Sequence, residues 1–284
     1  MNYKKFKEQF AAQFRDYLPA MYTGWMLEIS EMPKVNGYRE AVTLRPETGA
    51  GCTPVLYLDE LYDYYRHCKD FTSVVQKAAA IFVLGIDHAS RRKSIAAREL
   101  PKESVIFVLA SEDGNDRLLN NVPHRMTLDL ALLYRVCVET EDGGFDSAII
   151  TYDLAKEMGL SEEDLYALAV ENTPRILPLQ TETTEDCFTI ITNKKATLGA
   201  AAMMYPGVLG EIANKMDANL FILPASIHEV FTVPDVGQSV EEMNQIVKEA
   251  NQHMDRKDEF LSSHVYYYRR DCDKVFIPSA PIGS

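Results

Sequence analysis

TLDLALLYRVCVE (127–139) and FDSAIIT (145–151), with Gly143 and Gly144 between them, decide how the fold is read. Both runs are rich in the branched and aromatic residues that suit a pleated, half-buried surface. A glycine pair supplies the reversal between them. Consecutive parallel strands need a crossover of a dozen or more residues, so two runs joined this closely pair antiparallel.

The same grammar recurs outward along the chain. GWMLEIS (24–30) and YREAVTLRP (38–46) flank Asn36-Gly37, which provides the positive φ of a tight hairpin. FTIITN (188–193) and LGAAAMMYP (198–206) flank NKKAT as a further strand pair, and HVYYYRRD with KVFIP closes the chain as a hairpin. SVIFVLA (104–110) is a single β-prone run, and NLFILPASIHEVFTVP (219–234) reads as strand.

Helices interrupt these pairs. Tyr3, Phe6, Phe10, Phe14 and Leu18 fall three and four apart, one stripe of a helix that Pro19 ends. Asp59 is placed to cap a helix carrying Tyr62, Tyr64 and Tyr65, and with Tyr57 these rings pack that helix on a sheet. FTSVVQKAAAIFVLGI (71–86) is a second, largely buried helix. SEEDLYALAVENTP (161–174) opens with a capping box and is expected to stop at Pro174, with Asn172 and Thr173 at its end. Residues 207–216 and 239–254 supply two more. Strand pairs broken by single helices give an α+β fold, a mixed or mainly antiparallel sheet with helices packed on its faces. The polar interval 87–102 suggests a helix and hairpin unit over 1–100 and a sheet domain over 101–284, or one continuous domain.

Composition narrows the function. The chain has 284 residues and a formal charge of −13, which repels phosphate backbones, so no nucleic-acid partner is expected. The densest basic stretch, ASRRKSIAAR (89–98), reads as a solvated helix or loop. Cys52, Cys68, Cys137, Cys187 and Cys272 are scattered without a CxxC pair, which fits reduced thiols in a cytoplasm and no structural zinc. Only Asp255 stands near His253 as a weak ligand pair, and no metal is expected. No apolar run reaches the length of roughly 18 residues that a membrane span needs, and no signal-peptide core follows MNYKKFKEQF. The phosphate-loop and dinucleotide glycine fingerprints are absent, so no cofactor is implied.

VPHRMTLDLALLYRV, LSEEDLYALAVENTPRILP, LGAAAMMYPGVL, LFILPASIHEVF and LSSHVYYY resemble, in that order, a bacterial family known only as a domain of unknown function. The resemblance runs from about Phe6 to Tyr268. It implies no activity and carries over no site residue.

Three polar groupings remain. In ILPASIHEVF (222–231) a continuous strand would put Ser226, His228 and Val230 on one face and Glu229 on the other, leaving no local serine–histidine–acid relay. In VPHRMTLD, His124 and Arg125 at a strand mouth could bind an anion, or pair with Asp129 or cap a neighbouring helix. Asn172 belongs to helix termination. The expectation is a cytoplasmic, non-enzymatic binding or accessory protein whose partner is a protein or a small anionic ligand. The alternative is a hydrolase using Ser226 and His228 with His124 or Arg125.

Overall fold

In a computed structural model, which describes residues 1–46, 53–91, 100–139, 145–184, 188–254 and 256–278, the chain forms two compact units, Met1–Ala96 and Ala97–Ser284. The glycine pair at 143–144, most of the basic stretch, Cys52, Cys187 and Asp255 lie outside the described residues.

The first unit opens with α1 (Tyr3–Gln13), whose stripe of phenylalanines continues into a 3-10 turn, Phe14–Tyr17, instead of one helix to Leu18. Strands β1 (Met26–Lys34) and β2 (Gly37–Arg45) form the expected hairpin, with Asn36 at φ 64° in its turn, and β3 (Leu56–Tyr57) adds to β2. Helices α2 (Leu58–Cys68) and α3 (Phe71–Arg91) follow. Asp59 does not cap α2: the N-cap is Tyr57, and Asp59 in the first turn instead takes Arg39 at 2.8 and 2.9 Å. Phe6, Phe10, Phe14, Phe82, Val74 and Val75 are fully or almost fully buried among these elements.

The second unit has two antiparallel sheets. In one, β6 (Leu130–Glu139) pairs along its length with β4 (Val105–Ser111), while its other edge takes β5 (His124–Thr127) and then β7 (Phe145–Ile149). The strand expected over 127–139 is therefore interrupted at its start: Leu128, at φ 58°, and Asp129 form a two-residue turn, and Thr127 pairs with Leu130. Two helices follow β7, α5 (Tyr152–Met158) and α6 (Glu162–Ile176). Pro174 lies inside α6, and the helix runs two residues past it. Near a C-terminus the missing N–H costs one bond of the last turn. Asn172 and Thr173 are therefore helical and buried, and Thr173 Oγ1 both donates to Ala169 O (2.5 Å) and accepts from Phe107 N–H (3.0 Å), tying α6 to β4.

The second sheet runs β13-β12-β10-β11-β9-β8. Its strands are β8 (Leu179–Thr183), β9 (Thr189–Asn193), β10 (Leu220–Ser226), β11 (Glu229–Pro234), β12 (Tyr266–Arg269) and β13 (Lys274–Phe276). Between β9 and β10, residues Gly199–Met204 form a 3-10 helix, not the strand expected over 198–206, and α7 (Val208–Met216) follows. The run of alanines lacks the side chains that a pleated surface rewards. Alternation sorts each strand: Leu220, Ile222, Tyr266 and Tyr268 enter the core shared with the other sheet, while Phe221, Leu223 and Tyr267 pack beneath α8 (Val240–Gln252). The protein is thus α+β, and every strand pair among the described residues is antiparallel.

Candidate functional site

The β5–β6 turn places Asp129 against the segment that leads into β12. Asp129 Oδ2 accepts from Ser262 Oγ (2.6 Å) and His264 Nδ1 (3.1 Å), and Oδ1 accepts from the hydroxyl of the fully buried Tyr266 (2.7 Å). Ser262 Oγ in turn accepts the His264 backbone N–H (3.0 Å). Burial raises the Asp129 pKa, but the three donors outweigh it and hold the carboxyl below its ordinary value. An ionised carboxylate only accepts, so Nδ1 of the half-exposed His264 side chain carries the proton. That is the orienting contact of an acid–histidine pair, but the nearby serine hydroxyl points at the acid and not at Nε2.

The 222–231 segment is not one strand. β10 runs through Pro224 and a register shift to Ser226, Ile227 and His228 form the turn, and Glu229 pairs with Ser226. The expected sharing of one face by Ser226 and His228 is therefore overturned, because alternation stops at the turn. Ser226 Oγ accepts the His228 N–H (3.0 Å), while His228 Nδ1 accepts the Leu198 N–H (3.0 Å). The remaining nitrogen, Nε2, lies 3.6 Å from Glu259, whose carboxylate also pairs with Arg256 at 2.9 Å. Thr192 Oγ1 donates to His228 O (2.8 Å). A Cβ on Gly199 would meet those same two groups at 2.2 and 2.5 Å, so only glycine fits beneath the turn. Glu229 makes no side-chain bond among the described residues, and the three residues build no relay.

His124 and Arg125 adjoin Asp129 in sequence but turn elsewhere. Arg125 forks onto Glu162 at 3.1 and 2.8 Å, reaches Glu163 at 2.8 Å, and lies 3.8 Å from the Tyr166 ring centre. Tyr134 also donates to Glu162. Burial raises the Glu162 pKa, yet the bonds from Arg125 and Tyr134 carry it below the usual range. His124 Nδ1 bonds Val122 O (2.9 Å). Asn172 bridges Lys102 O and Arg175, each at 3.0 Å. Of the residues singled out from sequence, Arg125, Asn172, His228 and Asp129 all take partners from distant parts of the chain, and Asp129 has the longest reach; its partners Ser262, His264 and Tyr266 are not among the residues singled out. Their signal was the LSSHVYYY motif, where a serine and a histidine two apart precede three tyrosines.

Among the described residues no group of three His, Cys, Asp or Glu side chains is set to hold a metal ion, and no helix is long and apolar enough to cross a membrane. Fold and site together define an antiparallel α+β protein whose most conspicuous polar side chains fasten its own turns and helices. The chain belongs to a family of unknown function (DUF5688), whose model matches residues 3–189 and 179–270. No curated protein and no solved structure matches it.

Proposed function

We propose that the chain is a non-enzymatic binding or accessory protein acting in the cytoplasm. The observation behind this reading is that the side chains that would do chemistry are bonded within the fold: Arg125 to Glu162 and Glu163, Asn172 to Lys102 and Arg175, His228 to Leu198. A guanidinium already forked on a carboxylate offers no free fork to a substrate. Affinity capture from a native lysate, with the heat-unfolded chain as control, tests it. A protein partner retained only by the folded chain is expected, and repeated capture of none would count against the reading.

One observation favours a second reading, a proton-transfer enzyme: His264 is half-exposed and its Nδ1 is held by Asp129, the pairing that a histidine general base uses. Turnover of p-nitrophenyl acetate separates the two. On the binding reading, wild type and His264→Gln differ by no more than one free imidazole accounts for. On the enzyme reading, the variant loses about a hundredfold or more.

A further inference from the structure

Strand β8 ends the six-stranded sheet and, among the described residues, pairs only with β9. Its flanking bonds, Lys194 N–H to Pro178 O and Thr184 N–H to Phe188 O, both 2.9 Å, fix which residues face which way. Along an antiparallel pair hydrogen-bonded positions alternate, so Gln180 and Glu182 spend their backbone groups on β9. Leu179, Thr181 and Thr183 turn theirs to the open side. All four residues from Gln180 to Thr183 are exposed, and the strand itself contains none of the prolines or lysines that usually blunt a sheet edge.

Beside this edge the core runs out into a cavity of about 320 Å³. Thr181, Thr183 and Thr189 form its sheet side, Ile212, Lys215 and Met216 of α7 its roof, and Pro234 its end. The threonines sit on the strand face toward α7, and Thr183 and Thr189 bond each other at 2.9 Å. Lys215 makes no ion pair among the described residues, so a single ammonium stands over an otherwise neutral recess.

We infer that the β8 edge binds an extended peptide segment of a partner protein as a seventh strand, with an acidic side chain of that segment turned toward Lys215. Main-chain bonds to Leu179, Thr181 and Thr183 would hold the peptide, and the recess would select the side chain lying about 4.8 Å beyond Thr181 on the same face. Lys215 sets the preference for a carboxylate, because one charge beside a partly enclosed recess acts through less water than at an open surface. The inference rests on the binding reading and adds the place and the class of partner.

Fluorescence anisotropy with capped nine-residue peptides of alternating threonine and valine tests it, one carrying a central glutamate and one a central lysine. The glutamate peptide should bind the full chain roughly tenfold more tightly than the lysine peptide. Lys215→Met should erase that difference. Thr181→Pro removes only an outward N–H and a proline is tolerated on an edge strand, so it should abolish binding of both peptides while the circular dichroism spectrum is kept. Lack of binding by folded wild type, or equal preference before and after Lys215→Met, overturns the inference whether or not the proline variant folds. So does a dimer in sedimentation that Thr181→Pro dissociates, since the edge would then belong to a second copy. Failure of the peptides while lysate capture still succeeds would remove the edge and leave the binding reading standing.

Discussion

In residues 1–96 touching rings run through an aliphatic core. Phe10 stacks between Phe6 and Phe14 at 6.0 and 4.8 Å, and Tyr22, Trp25 and Phe82 meet edge to face. In residues 97–284 rings such as Phe107, Tyr134 and Tyr266 are set among many aliphatic and alanine side chains, and buried polar groups are threaded through the core: Thr173 under β4, Asn193 on Thr197 O, Ser262 on Asp129. The helices differ in the same way. α6 and α8 each open with a full capping box, Ser161 with Asp164 and Ser239 with Glu242, whereas α2 has no side-chain cap and depends on Tyr62 and Tyr65 packing against Phe6. Rings bury much area without specifying direction, while hydrogen bonds specify direction at modest net gain. Ring contacts carry more of the first unit, which also has the Arg39–Asp59 pair, and buried hydrogen bonds carry more of the second.

The largest effect is expected where shape alone holds the structure. Phe10→Ala opens a cavity between two stacked rings in a fully buried site and should cost about 3–5 kcal/mol. Near-ultraviolet circular dichroism of the Trp25 environment should lose its signal at lower denaturant than in wild type. A cost below about 1 kcal/mol would mean that the ring stack is not what holds α1 in place.

Asp129→Asn probes the pairing side. Three donors converge on that carboxylate, and replacing it leaves one of them facing an amide, for an expected cost of about 2–3 kcal/mol at neutral pH. The sign with pH follows from the lowered pKa. The folded state holds this proton less tightly than the unfolded chain, so the stabilisation is present above the ordinary value of 3.8 and is lost as pH falls through the lower folded value. Urea melts of wild type and variant should differ most near pH 7 and converge in strong acid. A gap that stays constant with pH would show that the charge of Asp129 is not what stabilises the cluster.

Period and punctuation made much of this fold readable. The phenylalanine stripe of α1, the Asn36 turn and the Ser161 capping box are local patterns, and each is present in the structure. Misreadings occurred where a local rule met a stronger tertiary one. Pro174 predicts a stop, but it falls in a last turn that Thr173 and Leu177 hold by other bonds. Over 222–231 a continuous strand and a turn after Pro224 are both open from sequence, and the structure takes the turn, seated on Gly199. β8, polar and exposed, has too little alternation to announce itself. The LSSHVYYY motif shows the serine, the histidine and the tyrosine, but not that they meet Asp129, which lies more than 130 residues away with nothing local to call for a histidine.

A smaller effect separates local from tertiary control of helix starts. Ser161→Ala deletes the hydroxyl that accepts the Asp164 N–H, leaving an orphan donor at the head of α6, and should cost about 1 kcal/mol. Amide exchange should accelerate in the first turn of α6 and leave Thr173 and the β4 contact protected. If exchange rises along the whole helix instead, the cap and not the packing nucleates it.

The smallest effect should have the opposite sign. Thr43 on β2 carries the one buried side-chain polar atom without a hydrogen-bond partner among the described residues, and it lies in the ring-built unit. A hydroxyl removed from water and given no partner is a net loss, so replacing it by a methyl of nearly the same shape should stabilise the fold. Valine also suits the strand better than threonine's polar branch does at a fully packed position. Thr43→Val is expected to raise stability by up to about 1 kcal/mol, read as an increased urea midpoint at unchanged slope. The matching change at Thr173, whose hydroxyl serves Phe107 and Ala169 together, should lower stability by about 1–3 kcal/mol. Opposite signs for one chemical substitution would establish that the two units differ in how they treat buried polarity. Equal signs would show that Thr43 has a solvent partner and that the contrast between shape and pairing is one of degree.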